Sequence, residues 1–278
     1  MEACLIIDRA GHPVLNAVLS LLARSNKTRT LEASLLDDAA AAREFAAPAD
    51  VYLLKSRSPA ALDLARGLER RGATVLNSAA STAACLDRVV MAERLAEVGV
   101  DAPRTQAFAD VRQLRENRDD ALLTFPSLIK SQHSRRGDLV RKLDRADEIL
   151  AVESAWDREP VVVQEFVDGD GWDVKLWVIG DAVHAARRRT VLVTGATGSQ
   201  KRNLPIGAAD LPGEWRQIAL RVGRGFDLDF YGIDLLPSER GPLVVDVNAF
   251  PGFRSVPGAP GALAGVIERR CLAAAGGR

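Results

Sequence analysis

Short apolar runs and longer amphipathic stretches take turns along the first third of the chain. Ala3-Cys4-Leu5-Ile6-Ile7 closes on Asp8, the pattern of a buried parallel strand. Pro13 then opens a stretch with apolar residues at helical spacing through Leu22, a first-turn position where the missing N–H of proline costs little. Asp50 to Ser56 predicts a second strand. Ser58 before Pro59 predicts a capped helix that runs through alanines and leucines and stops at Gly72, and Ala73 to Asn77 predicts a third strand. Strands separated by helices point to a small parallel α/β domain over residues 1–80.

Beyond residue 80 the pattern changes. One helix is predicted from Ala83 to Val98, ended by Gly99, and Pro103 leads into an extended segment. Thr124 to Ser131 predicts a strand with Lys130 at its end, Arg145 to Ser154 a helix, and Glu159 to Val167 a strongly apolar strand. Asp173 to Thr190 alternates on both sides of Gly180-Asp181, as a hairpin does. Residues 193–207 are rich in Gly, Thr, Ser and Asn and read as a mobile loop. A helix near Trp215 to Gly225 follows. Two strands then flank the turn Pro237-Ser238-Glu239-Arg240-Gly241, and the tail from Ala259 is helical. Neither repeats nor a low-complexity linker divide the chain.

At 278 residues the chain is long for one core, so two or three subdomains are expected. Hydrophobic residues make up 47% and charged ones 27%, an ordinary globular balance. The 37 basic and 37 acidic residues cancel, which removes any global argument for a nucleic-acid or membrane partner. Anions must then be bound by local clusters: Ser134-Arg135-Arg136, Arg187-Arg188-Arg189 and Lys201-Arg202. The 3 cysteines lack CxxC spacing and read as reduced thiols. With no signal-peptide pattern and no apolar run of membrane-spanning length, a cytoplasmic protein is expected.

Candidate chemistry concentrates at the ends of strands. Asp246 and Asn248 lie two apart, so they leave one face of their strand, and Asp234 lies on the strand joined to it by a short turn. An antiparallel pair would gather three oxygen-bearing side chains, a donor set suited to Mg²⁺ completed by water and phosphate oxygens. Aspartate and asparagine also end strands for reasons of turn chemistry alone. Lys130, at a strand end before Ser131-Gln132-His133-Ser134-Arg135-Arg136-Gly137-Asp138, reads as a phosphate site or as a snorkelling surface lysine. Neither GxxxxGK[ST] nor GxGxxG occurs, so a nucleotide would need another architecture. Gln164-Glu165-Phe166-Val167, ahead of Asp168-Gly169-Asp170-Gly171, forms a strand-to-hinge exit whose backbone groups suit an adenine edge.

In their order along the chain these pieces resemble the ATP-grasp superfamily from about Asn77 to Pro260, and within it the RimK-like carboxylate–amine ligases. The resemblance is carried by Asn77-Ser78 and by Asp87-Arg88 at a helix start. Leu128-Ile129-Lys130, the Gln164–Val167 hinge, Gly171-Trp172-Asp173-Val174-Lys175 and Ala185-Ala186-Arg187-Arg188 continue it. Lys201-Arg202-Asn203, Gly232-Ile233-Asp234 and Asp246-Val247-Asn248 ahead of Pro251-Gly252 complete it. It implies an ATP-grasp fold of α/β (α+β) class. Residues 1–80 would precede two α+β subdomains, 81–165 and 166–278, that clasp ATP.

The resemblance also implies roles. Lys130 and Arg88 would meet the phosphates, and Gln164, Glu165, Phe166 and Val167 would hold the adenine. Asp173 and Lys175 would belong to the same nucleotide site. Asp234, Asp246 and Asn248 would ligate one or two Mg²⁺ ions, with Mn²⁺ as a substitute. Arg187, Lys130, Arg202 and Asn203 would carry catalysis at the γ-phosphate and acceptor. The implied substrates are a small-molecule carboxylate and amine, joined through an acyl phosphate, and homo-oligomers are common on this fold.

A second resemblance leads elsewhere. Asp246-Val247-Asn248-Ala249-Phe250-Pro251-Gly252 and His133 are similar to inositol tris/tetrakisphosphate kinases, which share the fold. That likeness implies phosphoryl transfer to a polyol hydroxyl instead. A non-catalytic nucleotide-binding protein is a third class, opposed by the complete metal set and Lys130. The Ala185–Arg188 and Lys201–Asn203 arrangement favours the ligase.

Overall fold

β1 (Glu2–Ile7) and β3 (Val51–Leu54) are buried on both faces, so the sheet they form needs helices on either side. In the computed structural model, which describes residues 2–24, 26–35, 49–120, 122–135, 137–189 and 203–276, these helices are present. α1 (Pro13–Leu22) and the C-terminal helix (Ala259–Gly276) cover one face through Leu15, Val18, Leu22, Leu263 and Ile267. α2 (Pro59–Arg70), capped by Ser58 Oγ on the Ala61 N–H at 3.2 Å, covers the other with Ala61, Leu62, Ala65 and Leu68. The sheet is parallel, in the order β2-β1-β3-β4, with β2 at Lys27–Glu32 and β4 at Thr74–Leu76. β2 was not expected: Lys-Thr-Arg-Thr-Leu-Glu is an edge strand with only Leu31 buried, so it has no apolar signature.

The helix expected from Ala83 to Val98 is two helices, α3 (Ala79–Ala84) and α4 (Arg88–Glu97). The break lies where the Asp87 carboxylate accepts from the N–H groups of Val89 (2.9 Å) and Val90 (3.3 Å), starting a new helix in place of continuing the old one. An antiparallel sheet follows, ordered β5-β8-β6-β7 from Thr105–Phe108, Val161–Glu165, Ser127–Ser131 and Val140–Leu143. α5 (Val111–Glu116) packs on it, together with two 3-10 helices, Ala146–Ala151 and Ser154–Trp156. The first of these stands where an α-helix was expected.

The largest sheet is antiparallel, in the order β11-β10-β9-β12-β13. β9 (Trp172–Ile179) and β10 (Ala182–Arg189) form the expected hairpin, and β12 (Phe230–Ser238) and β13 (Gly241–Ala249) form a second. β11 (Leu204–Ile206) occupies part of the expected mobile loop, and residues 193–202 of that loop lie outside the described residues. α6 (Gly213–Phe226) and α4 cover one face, where Val174, Leu176, Val178, Ile233, Leu235 and Val247 are buried. The opposite face turns towards the other two sheets. Among the described residues no helix is long and apolar enough to cross a membrane.

Asn77 joins the first sheet to the last. It is buried, and its Oδ1 accepts from the N–H groups of Asp229 (2.8 Å) and Phe230 (3.1 Å) while Nδ2 donates to Phe230 C=O (2.7 Å). Two backbone donors, one buried and one half-buried, therefore depend on one amide oxygen. Asn77→Leu should lower unfolding free energy by about 2–4 kcal/mol, the cost of leaving one buried and one half-buried donor unpaired, read from the midpoint of urea unfolding. A loss below about 0.5 kcal/mol would show that this bridge contributes nothing.

Candidate functional site

Strand pairing gathers the polar residues of the large sheet on one face. Arg188 lies opposite Asp173, Lys175 opposite Asp234, Asp234 opposite Asp246, and Gly232 opposite Asn248. Directly opposed residues share a face, so four adjacent strands present one polar patch. A bulge between Asp234 and Leu235 ends this register and re-aims β13 beside the carboxylates. Gly232 makes room at the patch: a methyl group there would stand 3.3 Å from Lys175 Cε and 3.2 Å from Pro251 Cγ.

The two carboxylates have opposite fates. Asp234 meets Lys175 Nζ at 2.6 Å through Oδ1 and Arg188 at 2.9 Å through Oδ2. Burial opposes its charge, but these two cations outweigh burial and hold its carboxyl below the usual range. Asp246 is pushed up, first by burial and then by the charge on Asp234. Its Oδ2 accepts from Asn248 Nδ2 at 2.5 Å, and Asn248 Oδ1 accepts from Arg57 at 2.9 Å.

This donor set fits a hard divalent cation. Asp246 is a carboxyl whose charged form burial and Asp234 disfavour and a cation would favour, an amide lies beside it, and Asp234 faces it across the strand pair. Asp234 is engaged by Lys175 and Arg188, so Asp246 and Asn248 are the better-placed ligands. Among the described residues no group of three His, Cys, Asp or Glu forms a metal cluster, so an ion here would need oxygens from elsewhere.

Lys130 faces this patch from the antiparallel sheet. Its Nζ donates to Gln164 Oε1 at 2.5 Å, and Gln164 is held in turn by Nε2 on Thr105 Oγ1 at 3.1 Å. Burial, with Arg88 next, pushes the lysine down to about 8, against the pull of Asp246, Asp138 and Asp234. Arg88 pairs with Asp138 at 2.9 Å and donates to Ser131 C=O, so it braces the strand that carries Lys130.

Between the two sheets lies a cleft of about 410 Å³. Lys130, Arg188, Asp234 and Asp246 form its charged end, and Leu128, Val140, Phe166 and Leu236 its apolar walls. Glu165, Val167 and Asp168 line it along the hinge after β8. Glu165 is fixed there, with its backbone N–H on Arg104 C=O at 2.8 Å and its carboxylate on Arg240 at 3.1 Å. Burial raises its carboxyl, and the Arg104 N–H and Arg240 together bring it below the usual range. Phe166 donates its N–H to Pro126 C=O at 3.2 Å and carries Lys142 4.5 Å above its ring. At Gly169 a methyl group would stand 2.8 Å from Leu236 Cδ1, so the hinge runs close against β12 and a side chain there would make Leu236 shift.

Of the residues expected at a site, Lys130, Gln164, Glu165, Phe166, Val167, Asp173, Asp234 and Asp246 line this one cleft. Lys175 is brought to it through Asp234, Asn248 through Asp246, and Arg88 from behind Lys130. Arg187 is not. It lies one residue out of phase with Arg188, so it leaves the other face of β10, where it pairs with Asp170 at 3.1 Å and sits over the Trp172 ring at 5.7 Å. Arg188 holds the cleft position in its place. Asn203 donates to Ser255 Oγ at 2.8 Å and is not among the residues lining the cleft, and Arg202 lies outside the described residues. Arg57 was not anticipated, because nothing in Lys55-Ser56-Arg57-Ser58 announces a contact with a residue 191 positions away.

Residues 86–261 match the model of the RimK-like ATP-grasp domain. A probable alpha-L-glutamate ligase of Xanthomonas oryzae pv. oryzae (strain MAFF 311018) is 32% identical over 210 residues, covering 73% of this chain and 70% of that protein. Among solved structures, a RimK domain ATP-grasp protein from Sphaerobacter thermophilus DSM 20745 superposes with a TM-score of 0.74 at 21% identity, over 98% of this chain and 100% of the other. The ATP-grasp ligase PsnB, solved with a minimal precursor, Mg and ADP, gives 0.65 at 18% identity, over 96% of this chain and 98% of its own.

The unequal charge balance of the two aspartates is open to measurement without any substrate. Asp234→Asn strips Lys175 and Arg188 of their shared carboxylate and should cost about 3–5 kcal/mol of unfolding free energy. Asp246→Asn keeps an acceptor for Asn248 and removes the repulsion, so it should leave stability unchanged or raise it. Folded Asp246 holds its proton more tightly than the unfolded chain does. Wild type should therefore lose ground to Asp246→Asn as pH rises above the ordinary carboxylate range. Equal destabilisation by both substitutions would refute this assignment.

Proposed function

The chain belongs to the RimK-like ATP-grasp family, and on that premise we propose that it is an ATP-dependent ligase joining a carboxylate to an amine. The observation that carries the reading is the cleft itself: hinge backbone and apolar walls along its length, and Lys130, Arg188, Asp234 and Asp246 together at one end. The apolar walls suit a purine ring, with the backbone of Glu165 and Val167 at its edge. Gln164 aims Lys130 at the phosphates, and Asp173 lies beside Arg188 towards the ribose side. Asp246 and Asn248, with Asp234 opposite, would hold Mg²⁺, which neutralises phosphate oxygens when bound. Arg188 is the cation placed to meet charge on a transferring phosphoryl group, and Arg187 is not.

The reaction proposed has two displacements. A carboxylate oxygen attacks the γ-phosphorus, the bond from the γ-phosphorus to the β,γ-bridging oxygen breaks, and ADP leaves with an acyl phosphate formed. An amine nitrogen then attacks the acyl carbon, the C–O bond to phosphate breaks, and inorganic phosphate leaves as the nitrogen loses a proton. The residues contribute position and fixed charge rather than covalent chemistry. The two sheets that close the cleft keep water from the acyl phosphate.

Incubation with ATP, Mg²⁺, hydroxylamine and a panel of acids should release ADP and trap a hydroxamate. Arg188→Met should lower that rate by about 100-fold or more, in the range for loss of one charged group at a phosphoryl site, while Arg187→Met should stay within about tenfold of wild type. Phosphoryl transfer to a polyol phosphate with no hydroxamate from any acid would replace this reading with a kinase.

A further inference from the structure

The antiparallel sheet sets a row of polar side chains across β5, β8 and β6. Thr105 lies directly opposite Gln164, and Gln164 lies opposite Leu128, two residues before Lys130. Opposed residues share a face, and residues two apart on a strand return to it, so Thr105, Gln164 and Lys130 stand side by side. Lys130 and Gln164 line the cleft, and Thr105 does not.

The hydrogen bonds along this row run in one direction. Lys130 Nζ, which can only donate, meets Gln164 Oε1 at 2.5 Å. Gln164 Nε2 donates to Thr105 Oγ1 at 3.1 Å, and Thr105 Oγ1 donates to Pro103 C=O at 3.1 Å. A hydroxyl has a single proton to give. With that proton on Pro103, Thr105 can only accept from Gln164, so the amide turns its NH₂ towards β5 and its oxygen towards Lys130. Both ends of the amide demand the same orientation. The reverse one would set an NH₂ group against an ammonium and an oxygen against the lone pairs of Thr105.

Gln164 is buried, so its NH₂ is costly to leave without a partner. Without the Thr105 hydroxyl the amide would have to turn to find one, and its oxygen would leave Lys130. Burial and Arg88 work against the charge on Lys130, while Asp246, Asp138 and Asp234 favour it. The amide oxygen occupies one N–H of the ammonium and leaves the others for a ligand. Being neutral, it adds no charge that would repel an incoming anion.

We propose that Thr105 is a positioning residue for nucleotide phosphates, acting through Gln164 to hold the Lys130 ammonium in place in the cleft. The inference rests on the reading of this cleft as an ATP site and deepens it: phosphate recognition depends on a hydroxyl outside the cleft lining.

Calorimetric titration of the full chain with ADP, and with adenosine in competition, tests it, because the ratio of the two affinities isolates the phosphates. Thr105→Val keeps the branched shape and removes the hydroxyl. It should lower the preference for ADP by about fivefold or more, as expected when a buried donor loses its partner, while adenosine affinity and Tm hold. Thr105→Ser keeps the hydroxyl and should stay within about twofold of wild type. In a Gln164→Met background, where the row is already cut, Thr105→Val should change the preference by less than about twofold. Thr105→Ala gives the same reading if Thr105→Val does not fold. A full preference in the variant that lacks the hydroxyl, or an equal loss in the Gln164→Met background, overturns the positioning role. Failure of the parent reading looks different. Wild type that binds ADP no more tightly than adenosine removes the nucleotide site and this role with it. A preference that depends on Thr105, with no hydroxamate formed from any acid, keeps the role and removes only the ligation.

Discussion

Two aspartates facing each other across β12 and β13 set the terms for the rest of the site. Two buried negative charges at that separation cannot both stand unaided, and the chain resolves the conflict unequally. Lys175 and Arg188 satisfy Asp234, which fixes the inner faces of β9 and β10, and Asp246 is left pushed up by burial and by Asp234, a shift that a cation from outside would reverse. Lys130, across the cleft, is under-solvated in the opposite sense. An anion and a cation arriving together would relieve both strains, which is why a nucleotide–metal pair suits this place better than either alone.

The arrangement needs rigid support on both sides. Gln164 and Thr105 hold Lys130 from within the antiparallel sheet, and Arg88 with Asp138 braces its strand. On the other side the bulge in β13 and the close approach at Gly169 fix how the hinge meets the large sheet. Gln164, Thr105 and the bulge lie within strands and Arg88 opens a helix, so most of the support comes from regular elements.

Strand and hairpin positions were largely legible in the sequence, because apolar runs and turn residues act locally. The pairing of Asp234 with Asp246 followed from a short turn between two obvious strands. What remained hidden was set by phase or by distance. Arg187 and Arg188 look alike in a run of three arginines, and only the pleat decides which one faces the cleft. Lys175 reads as a ligand-binding lysine until Asp234 is seen opposite it. β2 pairs at an edge without an apolar signal, and Asp87 interrupts a helix whose apolar spacing continues through it. Arg57 meets Asn248 through tertiary folding alone.

The C-terminal helix has a consequence for how the chain comes into being. Leu5 and Leu53, on the first sheet, are covered in part by Leu263 and Ile267. β1 and the helix Ala259–Gly276 thus complete one core from distant parts of the sequence, and the part of the sheet face that α1 leaves open stays uncovered until that helix is made. Contacts of such long sequence separation slow folding, and they make the order of emergence from the ribosome matter as much as final stability. Trimming that helix would act first on the sheet that holds β1, far in sequence from the change.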